Sequence, residues 1–267
     1  MTAGVLIFAF NNEQINYLAM ANWSAKNIRR HLNLPVAVVT DLSVPSNYHF
    51  EQVIHVKPVG NESRRFEDIP KAVTWYNGNR VDAYNLSPWA KTLVLDADYV
   101  VATDQLKSIL TCNQDFIAHN QAYDVCGHPN FDEHNTFGQY RVPMWWATVM
   151  LFRRSEHARL IFECMQMVRG HWNHYKDLYN IGRTTYRNDF ALSIALGMVN
   201  GHTLNHAGIP WGLATVTHNQ KLTQLDLDQY RVEFLTQEGK SKWIQLTQDF
   251  HAMGKRHLGD IVASDIG

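Results

Sequence analysis

The chain has 267 residues, 24 basic against 25 acidic side chains, a formal charge of -1, and 45% hydrophobic with 18% charged residues. This composition excludes a disordered tail or a fibre, and the balanced charge removes any demand for a polyanionic partner while leaving local basic clusters free to act. The longest apolar runs, Val5 to Phe10 and Ala147 to Phe152, fall far below the ~20 residues of a membrane helix, so no membrane span is expected.

Val5 to Phe10 suits a strand buried on both faces. Asn11 and Asn12 then offer a helix N-cap, and Glu13 suits the positive end of the helix dipole. Ile15, Leu18, Asn22, Ala25, Ile28 and Leu32 follow at helical spacing, and Val36 to Val39 predicts the next strand. Strand, helix, strand is the unit of a parallel sheet, whose ligands bind at the carboxyl ends of the strands. Gln52 to Val59 reads as a third strand, Asn61 to Asn79 as a polar loop with some helix, and Thr92 to Leu95 as a buried strand. Val149 to Phe152 is another buried strand. Ser155 then caps a helix with the stripe Leu160, Ile161, Cys164, Met165 and Val168, ended by Gly170. A further helix opens near Asn188 and Asp189 and stops at Gly201, and Trp243 to Phe250 reads as a late strand. The class is α/β. Without repeats or a long linker, residues 1–267 read as a single domain.

Cys112, Cys126 and Cys164 are odd in number and lack C-x-x-C spacing, which predicts thiols in a reducing cytoplasm and argues against a disulfide framework or a cysteine zinc site. Met1 to Gly4 carries no basic side chain, so no secretory signal is expected.

The chemistry concentrates in Leu93-Val-Leu-Asp96-Ala-Asp98. Two carboxylates where a buried strand ends demand neutralisation, and a hard divalent cation with phosphate oxygens among its ligands supplies it. A strand-end turn rich in Asp is the alternative, because chance alone gives roughly one Asp-x-Asp in such a chain. A second copy, Asp226-Leu-Asp228, follows a polar segment and reads as a solvated turn or helix start. Lys91 is placed either on a phosphate or in solvent. Arg64, Arg65 and Arg80 are candidates for sugar or phosphate contact.

Arg80, Tyr84 and the run Ser87-Pro-Trp-Ala-Lys-Thr-Leu-Val-Leu-Asp-Ala-Asp98 resemble the central motif of GT-A fold nucleotide-sugar glycosyltransferases. Within them the chain is similar to family 8, the glycogenin-like and galactosyltransferase-like enzymes and their bacterial and phage relatives. Three further short motifs follow the family order: Phe10-Asn11-Asn-Glu-Gln-Ile-Asn-Tyr17, Asn188-Asp189, and His251-Ala-Met-Gly254-Lys255. The resemblance implies a single Rossmann-like GT-A domain with a mixed, mostly parallel central sheet flanked by helices. Its nucleotide-binding half would span about 1–104 and its acceptor-side half about 105–267.

It further implies a retaining hexosyl- or pentosyltransferase using a nucleotide diphosphate sugar, UDP-linked, and Mn²⁺ or Mg²⁺. Asp96, Asp98 and His251 would hold the metal, and Phe10, Asn11, Tyr17, Lys91, Asp96, Ala97, Asp98, Gly254 and Lys255 would bind the donor. Gly254 would admit the phosphates close to the backbone, and Lys255 would neutralise the leaving diphosphate. Asn188 and Asp189 would face the anomeric carbon as the catalytic pair, although a plain helix N-cap explains the same residues. Asn188 stands where the family has Gln, and Trp146-Ala-Thr148 where relatives have Asn-Ala-Gly. The adjacent Trp145 and Trp146 offer either a stacking surface or core.

The acceptor stays open between a glycan, a protein, a small molecule and, through the phage relatives, a hydroxymethylated base in DNA, with the host cytoplasm as the location if the chain is phage-encoded. The basic clusters Arg29-Arg30-His31, Arg64-Arg65, Arg153-Arg154 and Lys255-Arg256-His257 permit DNA, while the neutral charge argues against a broad footprint. Two other readings compete. A sugar-1-phosphate nucleotidyltransferase would need a Gly-rich basic loop that Phe10-Asn-Asn-Glu lacks. A non-catalytic nucleotide-sugar binding module would bind without transfer.

Overall fold

A computed structural model describes residues 2–60, 62–65, 69, 71–76, 78–129, 135–182, 184–203 and 206–266. The first apolar run forms strand β1 (Ala3–Phe8), in which Val5, Leu6 and Ile7 are fully buried. Gly4 leaves room for the Trp89 indole, with which an added Cβ would collide. Helix α1 (Tyr17–Leu32) starts later than the sequence predicts. Its N-cap is Asn16, whose side chain accepts the Ala19 N–H at 2.9 Å. Asn11 and Asn12 instead close the preceding loop. Asn11 Oδ1 accepts the Leu18 N–H at 2.9 Å, and Asn12 Oδ1 accepts those of Gln14 and Ile15 at 3.0 and 2.9 Å.

Strands β2 (Val36–Thr40) and β3 (Gln52–His55) follow, the latter ending before the expected Val59. The supposed polar loop holds a hairpin, β4 (Glu62–Arg64) with β5 (Val73–Trp75), then a 3-10 turn (Gly78–Asp82) and the short helix α2 (Ala83–Leu86). Next come β6 (Lys91–Asp96), β7 (Tyr99–Val100) and helix α3 (Lys107–Leu110). Strands β8 (Phe116–His119), β9 (Ala122–Asp124), β10 (Thr136–Phe137), β11 (Val142–Pro143) and β12 (Trp146–Arg153) lead to helices α4 (Glu156–Gly170), α5 (Trp172–Leu178) and α6 (Asn188–Val199). Ser155 caps α4 as expected, accepting the Ala158 N–H at 3.2 Å. The chain ends with β13 (Leu213–Val216), a meander of β14 (Lys221–Asp226), β15 (Arg231–Leu235) and β16 (Ser241–Gln245), then β17 (Phe250–Ala252) and helix α7 (Lys255–Ile266). The single strand expected from Trp243 to Phe250 is therefore two, in different sheets.

The central sheet has six strands in the order β3-β2-β1-β6-β12-β8. β1 pairs in parallel with β2 and β6, and β2 with β3, while β12 runs antiparallel to β6 and β8. The sheet is mixed and mostly parallel, with helices packed on it. Strand order reverses between β1 and β6, so their carboxyl ends open a crevice, and Phe8 there pairs with Asp96.

A smaller sheet, β7-β17-β13-β9, begins two residues beyond β6. Ala97 and Asp98 alone join β6 to β7, and Asn120 and Gln121 likewise join β8 to β9. β17 pairs with β7 so that His251 lies opposite Tyr99, and the Ala252 N–H bonds to the Asp98 carbonyl at 3.0 Å. The second Asp-x-Asp lies outside this arrangement. Asp226 Oδ1 accepts the Gln229 N–H at 2.9 Å in the meander's turn, and Asp228 pairs with Arg30 at 2.7 Å. No helix among the described residues is long and apolar enough to cross a membrane.

The start of β17 is anchored by the buried Asp249, whose Oδ1 accepts the Ala102 N–H (2.9 Å), the Thr103 N–H (2.7 Å) and the Thr103 hydroxyl (2.8 Å). Burial outweighs these bonds and pushes the carboxyl up to about 6. The folded chain then holds this proton more tightly than the unfolded chain. Its contribution to stability is full below about pH 4 and is lost as pH rises through about 6. That loss amounts to about 3 kcal/mol. Asp249→Asn, neutral throughout, should flatten the dependence. Melting temperatures between about pH 4 and pH 8 check this, and a variant with the wild-type slope would refute it.

Candidate active site

Asp96 ends β6, Asp98 follows one residue on, and the register of β17 carries His251 to them from the far end of the chain. The ligand atoms of Asp96, Asp98 and His251 all lie within 4.8 Å of one another. His251 Nε2 is 3.2 Å from Asp98 Oδ2 and 3.3 Å from Lys255 Nζ. Asp98 is ion-paired with Lys255, and Asp96 with Arg80. These four charged side chains are only 5% to 15% exposed, so each carboxylate requires its cation. Burial pulls the Arg80 guanidinium down to about 10, against Asp189, Tyr186 and Tyr17, and it stays protonated at neutral pH.

The crevice beside this cluster has an aromatic wall of Phe10, Tyr17, Trp75 and Tyr76, with Trp146 also lining it. Trp75 and Arg64 come from the β4–β5 hairpin, and the Arg64 guanidinium sits 4.4 Å from the Trp75 ring centroid. Arg80, Arg187 and Lys255 line the same space. An aromatic platform beside converging cations suits a planar base attached to phosphates.

The opening of α6 forms another wall. Its N-cap is Arg187, without a side-chain capping bond, so neither Asn188 nor Asp189 serves as the cap. Asn188 Oδ1 accepts the Tyr186 hydroxyl at 2.9 Å. Asp189 Oδ1 accepts the Ala147 N–H at 2.9 Å, and Oδ2 accepts from Arg187 Nη2 at 2.8 Å. Burial pushes the Asp189 carboxyl up, but the Arg187 guanidinium, the Ala147 N–H and Arg80 outweigh it and hold it below the usual carboxylate range. Arg80 also donates to the Ala147 carbonyl at 3.3 Å. This stretch of β12 is irregular against β8, the register shifting between Trp146 and Met150, which re-aims side chains at the crevice.

Of the sequence-predicted residues, the fold brings Phe10, Tyr17, Asp96, Ala97, Asp98, Asn188, Asp189, His251 and Lys255 to one cleft, with Arg64, Arg80 and Trp146. Lys91 is not there. It starts β6, at the strand end opposite Asp96, and its Nζ donates to the carbonyls of Leu110 (2.6 Å), the last residue of α3, and Cys112 (2.7 Å) just beyond it. Asn11 is held by Leu18 and Asn16 in the loop rather than lining the cleft. Gly254 also lies off the lining, its carbonyl accepting the Leu258 N–H at the start of α7. Trp145 is core, its ring 5.0 Å from that of His206. Arg65 is exposed outside the cleft. Arg29 pairs with Glu51, Arg30 with Asp228 and Arg153 with Asp115, while Arg154 donates to the Ser87 carbonyl. Sequence reasoning missed Trp75, Tyr76, Arg187, Thr215 and His218, which line the cleft. Arg187, adjacent to Asn188, was the accessible signal; Trp75 and Thr215 arrive on β5 and β13, and Tyr76 and His218 just past the ends of those strands.

No protein-family model matches the chain, and no curated protein sequence matches it. Solved structures do. The galactosyltransferase LgtC, in complex with donor and acceptor sugar analogs, superposes with a TM-score of 0.50 at 14% identity, over 73% of this chain and 70% of LgtC. The apo-form glycosyltransferase GlyE of Streptococcus pneumoniae TIGR4 gives 0.46 at 10% identity, over 78% of this chain and 45% of GlyE. This chain thus spans under half the length of GlyE. The fold is the GT-A glycosyltransferase fold, a mixed α/β domain with a mostly parallel central sheet.

Proposed function

We propose that the protein is a metal-dependent, retaining glycosyltransferase that moves a sugar from a nucleotide diphosphate sugar, UDP-linked, to a hydroxyl acceptor. One observation carries this reading: two acids from a strand tip, an imidazole and a lysine from the distant C-terminal segment meet where the sheet's strand order reverses. One nitrogen and two carboxylate donors suit Mn²⁺ or Mg²⁺. Asp96, Asp98 and His251 would hold the ion, which when bound supplies Lewis-acid polarisation of the diphosphate and a template for it.

The side chains have distinct tasks. Phe10 and Tyr17 offer their rings to the base. Arg80 and Lys255, which pair with Asp96 and Asp98, are placed where they would meet diphosphate oxygens. The positive charge that balances the acids at rest then stabilises the leaving group during transfer. The acceptor oxygen bonds to the anomeric carbon on the face the diphosphate leaves. The carbon–oxygen bond to phosphate breaks toward the diphosphate, and the departing oxygen takes the acceptor proton. Both Asp189 oxygens are already hydrogen-bonded, which favours a fixed negative field beside the developing sugar cation over a nucleophilic role. Asn188 Oδ1 is engaged by the Tyr186 hydroxyl, which fixes the side chain at the edge of the cleft.

The ion-paired arginines 29, 30 and 153 weigh against a broad DNA footprint, so a glycan, protein or small-molecule hydroxyl is the proposed acceptor. A thermal-shift panel of UDP, GDP and CDP with their sugars, each with Mn²⁺, Mg²⁺ or chelator, tests the donor half. A ligand at 100 times its Kd adds roughly 2.7 kcal/mol to the folded state. The expected result is a UDP shift that needs the metal. A shift indifferent to chelator, or none with any nucleotide, overturns the reading.

A further inference from the structure

The sequence Asp124-Val125-Cys126-Gly127-His128 puts oxygen, sulfur and nitrogen donors at every second residue, just beyond the point where β9 ends. These five residues are a tight loop. The Tyr123–Pro129 bridge closes it, the Asp124 N–H bonds to the His128 carbonyl at 2.8 Å, and the Gly127 N–H bonds to the Asp124 carbonyl at 2.9 Å. Gly127 makes the turn possible with its φ of 84°.

Asp124 divides its carboxylate. Oδ1 accepts the Cys126 and His128 N–H groups at 2.9 and 2.8 Å, while Oδ2 faces His128 Nδ1 at 3.2 Å and Gln220 Nε2 at 3.2 Å. The Cys126 sulfur meets polar tips, Lys242 Nζ at 3.5 Å and Gln220 Nε2 at 3.7 Å. The ligating atoms of Asp124, Cys126 and His128 all lie within 4.8 Å of one another.

We propose that this loop is a second metal site, taking a borderline-soft divalent cation of the Zn²⁺ type through Asp124 Oδ2, Cys126 Sγ and His128 Nδ1, with water in the fourth position. A thiolate in the set disfavours Mg²⁺ and Ca²⁺, and one carboxylate, one thiolate and one imidazole are all established zinc donors. Bonds of about 2.0–2.3 Å place tetrahedral ligands some ~3.5 Å apart; Asp124 Oδ2 and His128 Nδ1 already stand 3.2 Å apart and all three donors lie within 4.8 Å of one another, so only a small adjustment is needed. The His128 ring, 71% exposed, has the freedom to make that movement, while the backbone is already fixed by its own hydrogen bonds. Lys242 is exposed and yields to a divalent ion at little cost.

The site is chemically distinct from the acid and imidazole cluster at the cleft, yet tied to it through one sheet. Asp124 pairs with Thr215, and Thr215 with His251. Two strand spacings of ~4.8 Å separate the rows. An ion on the loop clamps the end of the edge strand β9 against Gln220, whose Oε1 accepts the Thr217 N–H at 2.9 Å, next to the cleft-lining His218. This inference is independent of the proposed transfer reaction.

Cobalt is the probe, because a thiolate ligand gives Co²⁺ a sulfur-to-metal charge-transfer band in the near ultraviolet. The acid and imidazole cluster holds no sulfur and contributes no such band. Added to the chelator-stripped full chain, Co²⁺ should give the band, Zn²⁺ should displace it, and Cys126→Ser should abolish it while Cys112→Ser and Cys164→Ser keep it. Removing an outer-shell partner alone lowers metal affinity ~10–100-fold. His128→Ala, an exposed substitution with no burden on folding, should weaken Zn²⁺ binding by at least that much in competition with a fluorescent chelator. Absence of the band in the wild type, its survival in Cys126→Ser, or unchanged Zn²⁺ affinity in His128→Ala overturns the proposal.

Discussion

His251→Ala should lower Mn²⁺-dependent affinity for UDP by more than roughly 100-fold, since loss of an outer-shell partner alone reaches that figure, while leaving the chain folded. The ring is a side chain on a strand whose pairing with β7 and β13 runs through backbone bonds, so the sheet survives its removal. What disappears is the nitrogen donor of a three-ligand set. Asp98 keeps Lys255 as its partner, and the acid pair stays balanced. Metal-free nucleotide binding through the aromatic wall should persist, so the variant and the wild type with chelator should look alike. Calorimetric titration of UDP with and without Mn²⁺ checks this. Equal affinity and equal metal response in the two proteins would remove the proposed metal site and with it the proposed function.

Arg80→Met tests the same cluster from its electrostatic side. Removing one member of a buried pair leaves an uncompensated charge and costs about 3–5 kcal/mol. Arg80 and Asp96 are 12% and 15% exposed, which points to the lower end. The Ala147 carbonyl also loses its donor. The metal-free variant should therefore melt roughly 5–10 °C below the wild type. A divalent cation bound to Asp96 and Asp98 replaces the missing charge, so Mn²⁺ should raise the melting temperature of Arg80→Met more than that of the wild type. A deficit that Mn²⁺ leaves untouched would mean that Asp96 does not receive the ion.

The central sheet was legible because its strands are continuous apolar runs, and burial on both faces leaves little room for another reading. Val5 to Phe10, Val36 to Val39 and Thr92 to Leu95 all lie within or across its strands β1, β2 and β6. The Asp-x-Asp at a buried strand end was readable for the same reason, and its surface copy was set aside correctly as a turn. Short strands were not legible. Phe116–His119 spans only four residues yet is buried throughout, and β4, β5 and β17 span three each. Such pieces form because a neighbour offers its hydrogen bonds, and that information is not local.

The site divided along the same line. Asp96, Asp98, His251 and Lys255 carried spacing cues, whereas Trp75 and Tyr76 reach the cleft from a hairpin that the polar composition of residues 61–79 disguised. Lys91 shows the opposite error. Five residues along a strand span about 16 Å, so proximity in sequence to Asp96 meant distance in space. Asn11 was misread because a loop-closing side chain and a ligand-binding one look the same in sequence.

The two-residue link between β6 and β7 has a mechanical consequence. Asp96 belongs to the larger sheet and His251 to the smaller one, with Asp98 in the link between them. A displacement of one sheet against the other would therefore change the distance between Asp96 and His251. A guest that grips both sides would act as a rivet across that seam.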